Sequence, residues 1–382
     1  MLETVNINIT QQFRNISKTA KIALLIFIVA KILVFTVGYL AIYKQTGTFP
    51  ASITNVFNHW DAPHYTDIAK NWYETDPTLD AYNFIVFFPL YPILIRLFTI
   101  SLTYINASAL IVSNICSIIV FLYLYKLAKH EFNEGVAVKA VLFLSIFPTA
   151  YFFSAPYTES LFFALTIASF YYARKGKWSL AGPLGLLASL TRLAGLLLLP
   201  VLIIEYYHQK GWKLKKTDLK ISWTFLTLAG FLIYLAINNQ VTGNPFTFMD
   251  IEATHWYNRL DPVTGLINAY HSITGYGYPD NIGLGIAPLA FAIFGLLMVS
   301  LSLWKRLRPS YIAYTFLSWS LAVSTSWWIS VPRYIMAMFP MFILIGLLLN
   351  NKRPVYAIPI IIISGALLCY FTAIFAIGWW AF

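Results

Sequence analysis

Residues 57–96 read FNHWDAPHYTDIAKNWYETDPTLDAYNFIVFFPLYPILIR, and the assignment of this stretch fixes how the rest of the chain is divided. Five of the fifteen acidic residues (Asp61, Asp67, Glu74, Asp76, Asp80) and two of the six histidines (His59, His64) fall inside it, among aromatics and Pro63, Pro89 and Pro92. Its apolar end, FFPLYPILIRLF, has too many prolines and too few residues to cross a bilayer, and it reads as a helix lying at the membrane interface. From His64 to Tyr73 the spacing predicts a short amphipathic helix. Tyr65, Ile68 and Trp72 fall on one face and Asp67, Lys70 and Asn71 on the other. Asp61, just ahead of Ala62 and Pro63, is placed to cap that helix.

Outward from this stretch the chain is mostly apolar. Hydrophobic residues make up 59% and charged residues 11% of the 382, and the mean hydropathy is +0.68. A soluble domain of that length could not cover its surface with so few polar groups. The chain reads as one all-α, polytopic integral-membrane domain over 1–382. Its first apolar run, Ile22 to Ile42, is too long for a cleaved signal and reads as a retained span. Cys116 and Cys369 both lie in apolar runs and read as packing residues.

Eleven spans are expected, at 22–43, 104–126, 136–153, 157–173, 178–191, 195–209, 219–238, 283–304, 309–329, 333–350 and 355–378. With the N-terminus cytoplasmic, nineteen of the 26 basic residues fall on the cytoplasmic side, Arg14, Lys18 and Lys21 among them. Ten of the fifteen acids fall outside. The net charge of +11 is therefore an orientation signal of the positive-inside kind and not a nucleic-acid footprint. Two extracytoplasmic segments are too long for turns, 44–103 and 239–282. The second carries Asp250, Glu252, His255, Asp261 and His271 and reads either as a substrate lid or as plain connection.

The ionisable residues at the outer mouths of the spans are the candidates for chemistry. Asp61, beside His59, Trp60 and His64, could take a proton from a hydroxyl nucleophile; the alternative is a plain helix cap. His59, Asp61 and His64 could instead ligate a divalent cation such as manganese, magnesium or zinc. Glu159 opens the fourth span in FPTAYFFSAPYTESLFF, where it is a functional candidate or a carboxylate favoured by the helix dipole. Arg192, in ASLTRLAG, and Arg333, beside Tyr334 in PRYIMAMFP, face the side where the positive-inside rule disfavours cations. A substrate phosphate suits the guanidinium fork; a salt bridge to an outer acid is the alternative. The chain has no Walker A lysine, no GxGxxG, no CxxC and no zinc-protease helix, so nucleotide binding has no support.

Four segments in order, HWDAPHYTDIAKNWY with FFPLYPILIRLF, then FPTAYFFSAPYTESLFF, SLTRLAGLLLLP and PRYIMAMFP, resemble the PIG-V-type mannosyltransferases and their prokaryotic relatives. Two positions depart from that pattern: His59 stands where an arginine is expected and Trp72 where a glycine is expected. The resemblance implies a GT-C glycosyltransferase fold with its site on the extracytoplasmic face. It implies inverting transfer of a sugar, mannose first, from a polyprenyl-phosphate donor to a glycolipid, glycan or protein hydroxyl, with Asp61 as general base. His59, Trp60, His64, Glu159, Arg192, Arg333 and Tyr334 are then the substrate-binding candidates. Expected partners are the lipid donor, that acceptor and membrane lipids, in the cell membrane. A transporter or flippase of a lipid-linked or small substrate is the rival reading; it expects mid-membrane ionisable residues and repeated halves. A structural membrane protein would not account for the clustered outer acids.

Overall fold

The computed structural model describes residues 17–382, so Arg14, one of the expected cytoplasmic cations, lies outside the described residues. The described chain is all helical, with no β-strand. Its helices are α1 (Lys18–Thr46), α2 (Asp61–Asn71), α3 (Leu90–Phe98), α4 (Ile105–Glu131), α5 (Glu134–Ser145), α6 (Glu159–Arg174), α7 (Trp178–Ser189) and α8 (Leu198–Gln209). They continue as α9 (Leu226–Thr242), α10 (Thr247–Thr254), α11 (Pro262–Gly275), α12 (Ala287–Trp304), α13 (Pro309–Val323), α14 (Val331–Met336), α15 (Pro340–Leu348) and α16 (Ile358–Ala376).

Each expected span coincides with one or more of these helices, but their lengths differ. Five segments are long and apolar enough to cross a bilayer alone: Lys18–Thr46, Leu102–Glu131, Leu219–Thr242, Asn281–Trp304 and Pro354–Ala376. The number rises to as many as seven if each of two bent pairs is one span: Trp328–Met336 with Pro340–Leu348, which meet at 63°, and Asp80–Val86 with Leu90–Phe98, whose 109° bend suits a segment that enters and turns back. The other expected spans are shorter helices, of which α6 alone is buried almost throughout. Pro148 shows why one of them is short: the residue before a proline is disfavoured in the helical region, so α5 ends at Ser145 and a 3₁₀ turn, Ala150–Phe153, follows.

The centre of the bundle is α6. Thirteen of its sixteen residues are buried, which fits a helix that is apolar all round. It packs on α4 and α7; α5 lies against α4 and α15, and α9 against α7. At the periphery α1 packs against α5 and α16 through one stripe of small or slim residues (Ala23, Ala30, Val34, Gly38), while Leu25, Val29 and Ile32 point outward, as lipid-facing side chains do.

The first long segment is short helices, as expected. Its helix α3 buries Tyr91, Pro92 and Ile95 and leaves Leu97 and Phe98 exposed. Helix α2 buries Tyr65 and Ile68, but it stops at Asn71: Trp72 has φ +67° and is exposed, so it does not share their face. The second long segment is not an irregular loop. It contains α10 and α11, the latter capped by the Asp261 carboxylate, which accepts from the Thr264 N–H at 3.0 Å.

Two ion clusters mark the ends of α6, roughly 24 Å apart at 1.5 Å per residue. Glu159 opens the helix at one end and Arg174 closes it at the other. At the Arg174 end, buried Glu205 of α8 accepts from Arg308 Nε at 2.7 Å, Arg174 Nη1 at 3.2 Å, Ser310 Oγ at 2.7 Å and Gln209 Nε2 at 2.6 Å. Arg174 also pairs with Glu131 of α4. That cluster ties α4, α6, α8 and the start of α13 together.

Candidate active site

The turn before α2 is held in a conformation that its residues do not favour. Trp60 has φ +57° and ψ −113°, a region that a bulky side chain enters only when its surroundings over-determine it. Those surroundings are visible. The buried Tyr157 hydroxyl donates to the His59 carbonyl at 2.8 Å and accepts from the Asp61 N–H at 3.2 Å, clamping both sides of Trp60. The Trp60 ring meets the edge of Trp380 at 4.9 Å between centroids, and His59 Nε2 lies 3.1 Å from the Ala376 carbonyl. His59 is thus turned toward α16, and burial holds its imidazole below the usual pKa, an effect that the Ala376 carbonyl partly offsets.

Asp61 is the first residue of α2, and no side chain caps that helix. Its carboxylate meets Arg333 Nη1 at 3.1 Å instead. The expectation of a capping aspartate is therefore corrected: the group is diverted to a cation brought in from α14, 272 residues away. Arg333 is shared. Its Nε lies 3.3 Å from Glu159 Oε1, within ion-pair range but off hydrogen-bonding geometry. The same Glu159 oxygen pairs with Arg192, whose Nη1 also donates to Thr158 Oγ1 at 3.1 Å. The Tyr334 ring lies under both guanidiniums, 5.5 Å from that of Arg192 and 5.3 Å from that of Arg333.

Two carboxylates and two guanidiniums thus balance within one cluster. Glu159 is 2% exposed and its second oxygen, Oε2, has no hydrogen-bond partner among the described residues. Both arginines form the salt bridges that were the alternative to a phosphate site. Arg192 reaches Glu159 because the chain turns sharply behind it. Gly195 lies 2.4 Å, measured from where a Cβ would stand, from the Ala188 and Ser189 backbone, so only glycine closes this turn.

On the other side of Asp61, one helical turn along α2, His64 sits among aromatic rings: Phe84 at 4.2 Å, Phe87 at 5.3 Å and Trp256 at 6.1 Å. Burial lowers its pKa, and the Asp61 carboxylate works against that shift. Trp256 follows α10, so the second long segment covers this side of the site. In α10, Glu252 accepts from Asn258 Nδ2 at 2.9 Å, and burial raises its pKa. Asp67 accepts from Asn71 at 2.8 Å. A groove of about 360 Å³ lined by Pro63, His64, Thr66, Asp67, Lys70, Phe84 and Ile105 runs beside α2.

His59, Asp61 and His64 do not form a ligand set. Their polar atoms point to α16, to Arg333 and into the aromatic cage, and no group of three or more His, Cys, Asp or Glu side chains converges among the described residues. What sequence reasoning missed is Tyr157. It stands two residues before Glu159 in a segment already singled out, but no spacing rule reports that its hydroxyl reaches back 96 residues to the Asp61 turn.

No family model matches the chain. It is 29% identical over 137 residues to a protein of Drosophila pseudoobscura pseudoobscura named GPI mannosyltransferase 2, covering 31% of this chain and 29% of that one. It is 32% identical over 123 residues to a protein of the same name from Cryptococcus neoformans var. neoformans serotype D, covering 29% of this chain and 27% of that one. The chain thus spans less than a third of the length of these curated relatives. In structure it is similar to the Archaeoglobus fulgidus oligosaccharyltransferase crystallised with Zn and sulfate, with a TM-score of 0.51 and 13% identity over 92% of this chain and 52% of that one. The same archaeal enzyme tethered to an acceptor peptide gives 0.50 at 12% identity, over 93% and 54%. The chain has the GT-C fold of those oligosaccharyltransferases and, over 31% of its length, resembles the PIG-V-type mannosyltransferases.

Proposed function

We propose that the chain is an inverting glycosyltransferase that moves a sugar, mannose in the first instance, from a polyprenyl-phosphate donor to an acceptor hydroxyl on the extracytoplasmic face. The observation that carries this reading is the Asp61–Arg333–Glu159–Arg192 cluster: a carboxylate on a strained turn, resting on a guanidinium that two acids share. The similarity to proteins named GPI mannosyltransferase 2 supports the sugar, and the gathering of nineteen of the 26 basic residues in the segments of the opposite side supports the side of the membrane.

The donor's polyprenyl tail stays in the bilayer while its phosphosugar reaches the cluster. A phosphate arriving there competes with Asp61 for Arg333, since a guanidinium fork meets phosphate oxygens as well as it meets a carboxylate. Released from Arg333, the Asp61 carboxylate accepts the proton of the acceptor hydroxyl. The acceptor oxygen forms its bond to the anomeric carbon from the face opposite the phosphate, the bond from carbon to phosphate oxygen breaks, and the electron pair leaves on the phosphate. Arg333 and Arg192 stabilise that developing charge, while Tyr334 backs both guanidiniums. His64 and the aromatic rings around it stand where an acceptor headgroup enters.

The test is Asp61→Asn assayed in membranes with radiolabelled polyprenyl-phosphate mannose. The native chain transfers label to acceptor, and the variant, folded to the same degree, does not. Full transfer by a well-folded Asp61→Asn protein refutes the assignment. Label that crosses the bilayer without reaching an acceptor points to transport instead.

A further inference from the structure

Between α5 and α6 the backbone is unwound inside the bundle. The 3₁₀ turn Ala150–Phe153 leads into Ser154–Thr158, and every one of these residues is buried. Non-helical backbone in a membrane protein must find its hydrogen-bond partners in neighbouring side chains. Here Ser113 Oγ donates to the Tyr157 carbonyl at 3.2 Å, Asn114 Nδ2 to the Ser154 carbonyl at 3.3 Å and Ser160 Oγ to the Phe153 carbonyl at 3.2 Å.

A fourth side chain enters from the first helix. Lys31 lies near the middle of α1, about 20 Å from either end at 1.5 Å per residue. Its amine donates to the Phe153 carbonyl at 2.5 Å, to Ser154 Oγ at 3.0 Å and to Asn114 Oδ1 at 3.1 Å, with no carboxylate in ion-pair range among the described residues. An ionisable side chain at that depth is costly and marks function more often than packing. Ser160 and Asn114 already give the Phe153 and Ser154 carbonyls one donor each, so Lys31 satisfies no orphan there and adds restraint instead.

We propose that Lys31 is a positioning residue for the Asp61 site: it pins Phe153 and Ser154, and so fixes the short segment whose far end presents Tyr157 and Glu159. Those two residues hold the Asp61 turn and the arginine pair. The inference rests on the reading of that cluster as the catalytic centre, and it gives α1 a part in the site that its apolar sequence conceals.

Three variants test it in the full-length protein. Lys31→Met keeps length and removes the donors; Lys31→Arg keeps donors; Tyr157→Phe breaks the clamp downstream. In mannosyl transfer, Lys31→Met lowers kcat by roughly 10- to 100-fold with donor KM little changed, the size expected when a reacting group is misplaced by about 1 Å. Lys31→Arg restores most of the rate. Because the effect of Lys31 on rate runs through the Asp61 turn, which Tyr157 holds, Lys31→Met combined with Tyr157→Phe loses little more than Tyr157→Phe alone. Glu205→Gln, on α8 in the ion cluster at the far end of α6, serves as the structural control, and its loss multiplies with that of Tyr157→Phe. A Lys31→Met rate equal to the native one, or a loss that multiplies as the control's does, overturns the proposal. Amide hydrogen exchange decides the same question without any reaction: it quickens at 153–158 and 59–61 in Lys31→Met and returns in Lys31→Arg. Unchanged exchange at those residues overturns the inference. Localised exchange without measurable transfer in the native chain upholds the positioning and refutes the glycosyltransferase reading alone.

Discussion

Tyr157→Phe removes one oxygen atom and asks how much of the site depends on it. The ring contacts survive: Phe152 at 5.0 Å, Phe375 at 5.9 Å and the Arg333 guanidinium at 5.7 Å all meet carbon. Two hydrogen bonds are lost, one to the His59 carbonyl and one from the Asp61 N–H. At about 0.5–1.5 kcal/mol net for each bond, the deletion withdraws about 1–3 kcal/mol. The strained Trp60 backbone stores strain of the same order, about 1–3 kcal/mol. The two quantities nearly cancel in the native turn, so removing the clamp lets Trp60 relax and carries Asp61 away from Arg333. Converted at about 1.4 kcal/mol per factor of ten, the loss in kcat lies between about 5- and about 140-fold. Donor KM changes little, because Arg192, Arg333 and Glu159 keep one another. Steady-state transfer from polyprenyl-phosphate mannose reads both constants. Native kcat in a folded Tyr157→Phe protein would show that the turn holds itself and that the clamp reasoning is wrong.

Glu205→Gln leaves Arg174 and Arg308 without their shared counter-ion, and breaking a buried pair of this kind costs about 3–5 kcal/mol; thermal unfolding in detergent shows a lower midpoint while the folded fraction keeps its donor KM. Gly195→Ala drives a methyl into the Ala188–Ser189 backbone, shifts Arg192 and raises donor KM at least several-fold, measured in the same transfer assay. His59 and His64 both titrate below their usual range because of burial. Their unfolded forms therefore bind protons first as the pH falls, and the stability present above about pH 6.5 declines below it. A thermal midpoint that holds constant from pH 7.5 to 5, or a decline that persists in a His59→Asn, His64→Asn double variant, contradicts that account.

Much of the architecture is legible in the sequence because lipid imposes a simple code. Long apolar runs, interrupting prolines and the distribution of lysines mark the helices. Asp61, Glu159, Arg192 and Arg333 could be singled out because ionisable residues at span mouths are rare. Hydropathy does not distinguish a crossing helix from one buried by its neighbours, and α6 and α7 read as spans although they are 16 and 12 residues long. The diversion of Asp61 from cap to ion pair was legible only in part: a salt bridge from Arg333 to an outer acid is one reading of the sequence, but not which acid. A cap depends on local spacing, whereas Arg333 arrives from another part of the chain. Nor does the sequence report that one ring nitrogen of His59 is engaged by the Ala376 carbonyl, 317 residues away.

The placement of Glu159 between two guanidiniums has a consequence for turnover. A polyprenyl-phosphate sugar is a diester with one negative charge; the carrier left after transfer is a monoester, closer to two near neutral pH. Bare arginines would hold the spent carrier more tightly than the incoming one, and each cycle would end stalled on its own product. In the proposed reaction, a buried carboxylate that reclaims both cations as the phosphate withdraws would offset that difference, and Glu159 would set how quickly the emptied lipid departs.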